Sequence, residues 1–288
     1  MRQATRERQA RVLSELLEKK HVTVKTLAEN MAVSVATVRR DLKTLADTQK
    51  VNLVHGGAAL PRETYFSFEA KADRNLQAKQ TIGELAAGLV SDGEQIFLDS
   101  GTTSFSMAGP LTRKRGLAII VNSARLALEL RAANMNLIML GGLYRPDRMD
   151  TIGPIAMSTL EQLRGYVAFI GADGLSMDFG VSAADIDSAH LYRLAAANAR
   201  ETVLLVDHSK FESASLFKIV DWEKVRRLVT NRRPSNEWMA FLEARGIEAI
   251  FPADAADAAD ASDETSTHNV NSQPLPEHSR ALNVSAGF

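Results

Sequence analysis

Arginine, lysine and small polar residues lie close together in one short amphipathic stretch near the amino terminus. Val33–Leu42 reads Val-Ser-Val-Ala-Thr-Val-Arg-Arg-Asp-Leu. At 100° per residue, one helical face would bury the apolar residues Val35, Val38, Leu42 and Leu45. The opposite side would carry Ala36, Arg40 and Lys43, flanked by Thr37 and Arg39. Arg reads guanine in the major groove, and small or Thr side chains contact the thymine methyl, so the pattern predicts a DNA-reading helix.

Contacts to the DNA backbone are predicted for residues at helix starts and beside the basic pair, namely Lys25, Ser34 and Lys43. The N-termini of the helices add backbone N–H donors for phosphate. A solvated helix face is the alternative interpretation of an isolated Arg-Arg pair. The DNA-reading interpretation is favoured because the segment also has a partner helix, a short turn and an N-cap residue.

A second set of polar residues follows predicted strands further along the chain. Asp99-Ser100-Gly101-Thr102-Thr103-Ser104 lies between a predicted strand and a predicted helix, where backbone N–H groups and hydroxyls can bind phosphate. Similar strand ends occur at Asn122-Ser123, at Gly141-Gly142 with nearby Arg145, at Gly171–Gly174 and at Asp207–Lys210. Each alone is consistent with an ordinary strand-to-helix turn. Together, at the carboxyl ends of parallel strands, they predict an anion-binding edge.

Three predicted helices position the basic pair: Thr5–Lys19, Val24–Met31 and Val35–Asp47. Thr23 and Ser34 are the expected N-caps. Only Ala32-Val33-Ser34 separates the second and third helices, which is the length of the turn in a helix-turn-helix. Val51–Val54 is a predicted strand that ends at Gly56-Gly57 and forms a candidate wing. Residues 1–60 are therefore predicted to be a winged helix-turn-helix domain.

Residues 74–252 alternate between helical periodicity and short apolar strands. The predicted strands are Gln95–Leu98, Leu117–Val121, Asn136–Leu140, Tyr166–Ile170, Thr202–Val206 and Arg227–Thr230. The predicted helices include Leu76–Leu89, Ser123–Arg131, Ile155–Gln162, Ala189–Ala199 and Trp222–Arg226. This alternation predicts an α/β domain with a mostly parallel sheet that is covered on both faces. Residues 61–73 would be a linker, and the Ala/Asp-rich start of residues 253–288 predicts a disordered acidic tail.

Charge is distributed unevenly between the two predicted domains. Residues 1–60 hold 11 Lys and Arg against 6 Asp and Glu, whereas the remaining residues hold 23 against 29. The net positive charge of residues 1–60 and the net negative charge of the remainder indicate that only the amino-terminal domain binds a polyanion. The chain has no cysteine, no apolar run long enough to span a bilayer and no signal-peptide core at its charged start. We therefore expect a soluble cytoplasmic protein without a membrane partner.

The residue pattern predicts neither a metal-binding site nor a catalytic nucleophile. His190 and His208 are isolated in the sequence, and no cluster of His, Asp and Glu has metal-ligand spacing. Ser123 and Ser209 lack the sequence context of a catalytic nucleophile. We therefore expect no metal site, no resident cofactor and no catalytic residue.

The two motifs of the amino-terminal region resemble those of the DeoR family of sugar-operon repressors. The resemblance rests on Val33–Leu42 followed by Val54-His55-Gly56-Gly57-Ala58. It implies that Arg39 and Arg40 lie in the recognition helix and that His55, in the segment closing the wing, contacts DNA. It further implies a repressor of a carbohydrate-metabolism operon that binds double-stranded operator DNA as a homo-oligomer, either a dimer or a tetramer.

The family resemblance extends over the carboxy-terminal domain, which in that family is similar to ribose-5-phosphate isomerase. The matching segments are residues 100–103, 171–173 and 207–210. They imply a phosphorylated sugar effector held by Ser100, Gly101, Thr102 and Thr103. The further effector-binding candidates are Asp99, Asn122, Gly142, Arg145, Asp173 and Lys210.

The chain departs from the family pattern at four positions. Gln49 stands where Gly is usual, and Leu53 stands where a basic residue is frequent, which predicts a different wing. On the helix after Gly180-Val181-Ser182, Ser188 and Tyr192 replace the usual Glu and Lys, while Arg193 matches. An effector different from that of better-known members is therefore expected.

Two other functions compete with that of a regulator. A sugar-phosphate isomerase would need a positioned base, for which Asp173 is a candidate, but the usual Glu position holds Ser188. An amino-terminal domain that binds nucleic acid without sequence preference would have equal affinity for all duplexes and a steep salt dependence. The regulator is favoured, and the chain is expected not to be an enzyme.

Overall fold

The amino-terminal domain is a winged helix-turn-helix. The computed structural model describes residues 2–19, 21–48, 51–54, 56–59, 68–132, 135–211 and 214–253 of the chain. The elements of this domain are α1 (Arg2–Lys19), β1 (His21–Thr23), α2 (Val24–Asn30), α3 (Val35–Asp47), β2 (Asn52–Val54) and β3 (Gly57–Ala59). The three strands form an antiparallel sheet in the order β1-β3-β2. The predicted fold and the order of its helices are confirmed.

Both predicted N-caps are present. The Thr23 hydroxyl accepts a hydrogen bond from the backbone N–H of Thr26 at 3.1 Å, at the start of α2. The Ser34 hydroxyl accepts one from the N–H of Thr37 at 3.2 Å, at the start of α3. Each cap satisfies one of the backbone donors that a helix leaves unpaired at its first turn, which fixes where the helix begins.

The apolar face of α3 differs from the predicted one at a single position. Val38, Leu42 and Leu45 are buried in the small core, as predicted, but Val35 is 42% exposed. Val35 is the first helical residue, and side chains there point back toward the N-terminus, away from the core behind the helix. The sequence prediction that Val35 packs inside was wrong.

A buried carboxylate joins α3 to α1. Asp41 is 3% exposed and receives two hydrogen bonds from the guanidinium of Arg8, at 2.5 Å to Oδ2 and 3.2 Å to Oδ1. A bidentate pair of this kind satisfies both carboxylate oxygens and adds directional specificity. Asp41 of the Arg-Arg-Asp-Leu motif therefore orients α3 on α1, while the side chains of Arg39 and Arg40 remain exposed.

The carboxy-terminal domain is built on a seven-stranded sheet in which every pairing is parallel. The strands are β4 (Gln95–Leu98), β5 (Ala118–Val121), β6 (Asn136–Met139), β9 (Val167–Gly171), β12 (Glu201–Leu205), β14 (Arg227–Val229) and β15 (Glu248–Ile250). Their order is β15-β14-β12-β9-β4-β5-β6. The chain runs outward from β4 to β6, then returns to β9 on the other side of β4. The connections therefore reverse direction between β4 and β9, and parallel sheets bind ligands at such a switch point.

Helices cover both faces of the sheet, as predicted. They are α4 (Phe68–Ala72), α5 (Leu76–Gly88), α6 (Thr102–Phe105), α7 (Ala108–Leu111), α8 (Ala124–Glu129), α9 (Pro154–Glu161), α10 (Ile186–Asn198) and α11 (Asn236–Glu243). Short 3₁₀ turns lie at Leu130–Ala132, His208–Lys210 and Trp222–Lys224. Alternate residues of the central strands pack into two separate cores, one with α5 to α8 and one with α9 to α11. Strands buried on both faces explain the continuous apolar runs in the sequence.

Two small antiparallel units were not predicted. β7 (Leu143–Arg145) and β8 (Asp150–Ile152) form a hairpin. β10 (Gly174–Ser176), β11 (Gly180–Ala183) and β13 (Phe217–Val220) form a three-stranded sheet that packs on the core containing α10. Both units lie directly after the ends of parallel strands, so they form walls above the carboxyl edge of the main sheet.

The predicted linker contains a helix. Residues 61–73 were predicted to be a connecting segment, but α4 occupies Phe68–Ala72 within it, and residues 61–67 lie outside the described part of the chain. The predicted acidic tail, apart from residue 253, also lies outside the described residues. Among the residues that the structure describes, no helix is long and apolar enough to cross a membrane.

Candidate DNA-binding surface and ligand cavity

The outward side of α3 presents the predicted DNA-reading residues together. Ala36, Arg39, Arg40 and Lys43 are exposed, and so are Lys25 on α2 and the cap residue Ser34. Thr37 is half-buried, and its hydroxyl lies 2.9 Å from that of Ser34. Within the described residues, the four basic side chains have no hydrogen-bond or ion-pair partner. They therefore form a positively charged surface that is open to a polyanion.

The wing follows from a close approach of two backbones. A Cβ at Gly57 would lie 2.2 Å from the carbonyl oxygen of Val22, so only glycine lets β3 pair with β1 at this point. Gly56 has φ of +73°, a conformation that glycine adopts without strain. Leu53 is 55% exposed on β2, which places an apolar side chain on the wing. His55 and Gln49, the other wing residues singled out in the sequence, lie outside the described residues.

A polar cavity of about 490 Å³ lies at the switch point of the large sheet. The loops after β4, β9 and β12 form its floor, and α4, α10 and the start of β13 form its walls. Seven predicted effector-binding residues line it: Asp99, Ser100, Gly101, Thr102, Thr103, Asp173 and Lys210. The other polar lining residues are Lys71, Arg74, Lys79, Arg148, Ser188, Tyr192, Asp207 and Ser215.

Asp99 shapes the loop of residues 99–103. It is 1% exposed and accepts hydrogen bonds from the backbone N–H of Gly101 at 2.9 Å and of Gly171 at 2.6 Å. Burial raises the pKa of this carboxyl above its ordinary value. Because it joins the ends of β4 and β9 from within, Asp99 holds the two loops of the switch point together. Thr102 and Thr103 then lie in the first turn of α6, where backbone N–H groups have no intrahelical acceptor.

The Ser100 hydroxyl is engaged by two buried groups. It donates to Oδ2 of Asp150 at 2.7 Å and lies 2.9 Å from the hydroxyl of Tyr192. Burial, with the neighbouring carboxylates of Asp99 and Asp150, raises the pKa of Tyr192, so its hydroxyl stays protonated. Tyr192 therefore connects α10 to the loop after β4.

Arg145 is held by carboxylates behind the cavity wall. Its guanidinium pairs with both oxygens of the fully buried Asp150 at 2.8 Å each, and with Asp185 at 2.6 Å. Burial alone would lower the pKa of Arg145, but these two carboxylates outweigh burial and raise it. Arg148 shares the Asp185 carboxylate at 3.1 Å and, unlike Arg145, lines the cavity. The structure thus places Arg148, at the turn of the β7–β8 hairpin, where the sequence prediction placed Arg145.

Asn122 and Gly142, two further predicted effector contacts, also lie outside the cavity lining. Asn122 is fully buried, and its amide donates to the carbonyl of Thr151 at 3.0 Å, which attaches the hairpin to β5. Gly142 has φ of +137°, and a Cβ there would lie 2.5 Å from the carbonyl oxygen of Ile152. Both residues have structural contacts that account for them without a ligand.

Two further carboxylates of the cavity lining, Asp173 and Asp207, each lie near a lysine. Lys71 donates to Oδ1 of Asp173 at 2.6 Å, and the backbone N–H of Ala184 donates to Oδ2 at 2.9 Å. Burial opposes ionisation of Asp173, but the Lys71 ammonium outweighs it and lowers the pKa of Asp173 to about 2. Burial likewise opposes the charge of Asp207, while Lys210 and hydrogen bonds from Ser209 lower its pKa.

Lys79 is a buried ammonium beside these pairs. It is 5% exposed, and burial lowers its pKa to about 8. Its Nζ donates to the carbonyls of Lys71 and of Arg74, which fixes the end of α4. Within the described residues, the Nζ of Lys210 has no acceptor within hydrogen-bond distance. A cavity with five cations against three carboxylates favours an anionic ligand.

Sequence reasoning missed Arg74 and four further charged or phenolic lining residues: Lys71, Lys79, Arg148 and Tyr192. Lys71 falls in the segment predicted to be a linker, and Arg148 lies in the turn of a hairpin that was not predicted. Lys79 occupies a helix whose amphipathic pattern gives no sign that one lysine points inward. Tyr192 had been noted as a departure from the family, which was the only signal in the sequence for any of the four.

A winged helix-turn-helix with an exposed basic recognition helix, joined to an α/β domain with a polar cavity at its switch point, defines a two-domain DNA-binding regulator. Family comparison matches residues 8–64 to the DeoR-like helix-turn-helix domain and residues 74–232 to the DeoR C terminal sensor domain. The second match alone covers more than half of the 288-residue chain. The chain belongs to the DeoR family of transcriptional regulators.

Curated relatives match along most of their length. The HTH-type transcriptional repressor CsqR of Escherichia coli is 30% identical over 86% of this chain and 96% of its own. The HTH-type transcriptional regulator GolR of Listeria innocua is 29% identical over 79% and 91%. The HTH-type transcriptional repressor GlcR of Bacillus subtilis is 28% identical over 85% and 95%. These relatives are named as regulators and repressors, and the prediction of a regulator over an enzyme agrees with them.

Among solved structures, ribose 5-phosphate isomerase from Plasmodium falciparum aligns with a TM-score of 0.34 and 15% identity. The alignment covers 46% of this chain and 52% of that chain. A likeness of this size supports no conclusion about ligand or activity.

Proposed function

We propose that this regulator represses a carbohydrate-metabolism operon by binding operator DNA, and that a phosphorylated sugar in the cavity releases it. The observation that carries the proposal is one cavity that combines the Ser-Gly-Thr-Thr loop with an excess of cations, at the switch point of a family sensor domain. Backbone N–H groups and lysines bind phosphate, whereas carboxylates accept hydrogen bonds from sugar hydroxyls.

Each part of the cavity has a proposed role. Thr102 and Thr103, with their backbone N–H groups, would receive the phosphate, and Lys210 would add a positive charge. Arg148 would take the role first given to Arg145, because Asp185 keeps Arg145 as a partner when Arg148 turns to a ligand. Asp173 would accept hydrogen bonds from the sugar. Asp99 and Ser100 would hold the loop in shape for these contacts.

The DNA-binding role is proposed for a homo-oligomer, a dimer or a tetramer. Two copies of α3 on one face of DNA would read two half-sites about one helical turn, or a multiple of it, apart. Arg39 and Arg40 would reach base edges, with Ala36 and Thr37 beside them. Lys25, Ser34 and Lys43 would contact phosphates, and His55 would do so from the wing.

Selection of bound fragments from the genomic DNA of the source organism tests this function. At about 0.15 M salt, non-specific binding is already weakened. A sequence-specific repressor should enrich one or a few fragments that share a repeated motif, and adjacent genes should encode sugar metabolism. A panel of sugar phosphates, added one at a time to the enriched complex, should contain one that releases the DNA.

Two outcomes would contradict the proposal. Equal recovery of all fragments, with a steep salt dependence, would mean that the amino-terminal domain binds DNA without sequence preference. Specific enrichment that no anionic sugar reverses, together with failure of the same sugars to bind the free protein in calorimetry, would mean that the cavity does not sense phosphorylated sugars.

A further inference from the structure

Helix α4 belongs to the segment that leaves the DNA-binding domain, yet its side chains form one wall of the cavity. β3, the last strand of the wing, ends at Ala59, and α4 begins at Phe68. Phe68 and Lys71 both line the cavity. Because α4 is the first described element after the wing in the chain, a displacement of α4 changes the position from which the DNA-binding domain is tethered.

Several contacts besides the Lys71–Asp173 ion pair hold α4 against the sensor domain. The Phe68 ring packs edge-on against Phe105 with 5.4 Å between centroids, and the Arg125 guanidinium lies 4.5 Å from the Phe68 centroid. Arg125 also pairs with Glu69. The buried Lys79 ammonium donates to the last carbonyls of α4 and of the following turn.

The ion pair between Lys71 and Asp173 joins α4 to the loop after β9, and both residues line the cavity. Its Nζ–Oδ1 distance is 2.6 Å, and both side chains keep about a quarter of their exposure, 28% and 26%. Asp173 follows β9 at the switch point, so this pair joins the interdomain segment to the edge where a ligand would sit. A buried or half-buried ion pair exchanges partners readily only when each charge finds a replacement.

We propose that a phosphorylated sugar takes Lys71 from Asp173, and that this exchange is the step by which the cavity acts on α4. The inference rests on the proposed function and adds the residue that couples the two domains. The sugar phosphate supplies an anion for Lys71, while a sugar hydroxyl donates to the vacated Oδ1 of Asp173. Neither charge is then left without a partner, and the carboxylate keeps its hydrogen bond from the N–H of Ala184.

The variant Asp173→Asn removes the carboxylate and so breaks the ion pair between Lys71 and residue 173 without any sugar. Amide hydrogen exchange of residues 68–72 in the full-length protein should become faster in this variant. Affinity for a genomic fragment selected by the wild type should fall by about 5- to 150-fold, the usual size of a coupling between two sites. Glu84→Gln is the matched control, because it breaks the exposed pair with Arg113 outside the cavity. It should change neither property.

Lys71→Met removes the α4 partner of the same ion pair. It tests the coupling role if the thermal melt of Asp173→Asn shows that this variant does not fold. Faster exchange in residues 68–72 with weaker DNA binding in a folded variant supports the coupling role. Wild-type exchange and wild-type DNA affinity in a folded variant would overturn it. A wild type that selects no genomic fragment contradicts the proposed function instead, and the exchange measurement then decides the role of Lys71 on its own.

Discussion

At the scale of single residues, the Arg-Arg-Asp-Leu motif combines one buried side chain with two exposed ones. Asp41 points inward to Arg8 and fixes the helix, while Arg39 and Arg40 point outward without partners in the described residues. Arg side chains that lack internal partners lose no ion pair when they turn to DNA. The motif therefore combines an orientation device with two groups that are free to read bases.

The variant Arg40→Ala should lose specific binding by about 1–3 kcal/mol, as expected for an Arg that contacts guanine. Competition measurements with the selected fragment and with random duplex distinguish this loss from a general one. Lys43→Ala is the comparison, because a phosphate contact should weaken binding to both duplexes alike and reduce the salt slope by about one. Unchanged affinity of Arg40→Ala for the selected fragment would mean that another face of α3 enters the groove.

The two arginines of the hairpin should behave differently when removed. Arg145→Ala leaves the fully buried Asp150 with only the Ser100 hydroxyl, so it should destabilise the domain by about 3–5 kcal/mol in denaturant unfolding. Arg148→Ala leaves Asp185 paired with Arg145, so its stability should stay near that of the wild type. Its affinity for the releasing sugar phosphate should instead fall by about 1.5–3 kcal/mol, the contribution of a charged hydrogen bond.

Calorimetry and unfolding on the same preparations check both halves of this prediction. If Arg148→Ala bound the sugar phosphate as tightly as the wild type did, Arg148 would have no part in the ligand site. If Arg145→Ala were as stable as the wild type, a water or another cation would have to compensate Asp150.

At the scale of elements, the six predicted parallel strands are present, whereas α11, β15 and the two antiparallel units were not predicted. The predicted helix Trp222–Arg226 is a 3₁₀ turn at Trp222–Lys224. The central parallel strands β4, β5, β9 and β12 contain continuous apolar runs because they are buried on both faces, and such runs are conspicuous in a sequence. The strands of the β7–β8 hairpin and of the β10-β11-β13 sheet are no shorter than several parallel strands, but they lack the continuous apolar run of a strand buried on both faces. These missed elements carry Arg148 and the start of β13, so part of the cavity could not be anticipated.

The Gly142 position tests whether the hairpin is a structural requirement of the domain. Gly142→Ala adds a Cβ 2.5 Å from the carbonyl oxygen of Ile152 at a positive φ, so it should destabilise by at least about 2 kcal/mol. Gly88→Ala is the matched control, because nothing lies within 4 Å of its added Cβ at the end of α5, and it should be neutral or slightly stabilising. Denaturant unfolding of both variants gives the comparison. A small effect at Gly142 would return this residue to the list of ligand contacts.

At the scale of the whole molecule, the sequence motifs gave the family and the order of domains, whereas the coupling between domains depended on packing. Periodicity describes one element at a time, so it could not show that Lys71, in a predicted linker, reaches Asp173, which is 102 residues further along the chain. Lys79 is a similar case, since its burial follows from the carbonyls of α4 that it caps. Residues whose partners are distant in sequence are those that the structure alone assigns.

Thermodynamic linkage between the two domains predicts that sugar and operator change each other's binding affinity by the same factor. If a sugar phosphate lowers operator affinity by some factor, saturating operator must lower sugar affinity by the same factor, because the two equilibria form one thermodynamic cycle. Calorimetric titration of sugar into free protein and into the operator complex should therefore reproduce the factor from DNA binding, in the range of about 5- to 150-fold. Random duplex, at a concentration that saturates the amino-terminal domain, is the control and should shift sugar affinity less. Equal sugar affinities with and without operator, alongside sugar-driven DNA release, would mean that the sugar competes at the DNA-binding surface and does not act from the cavity.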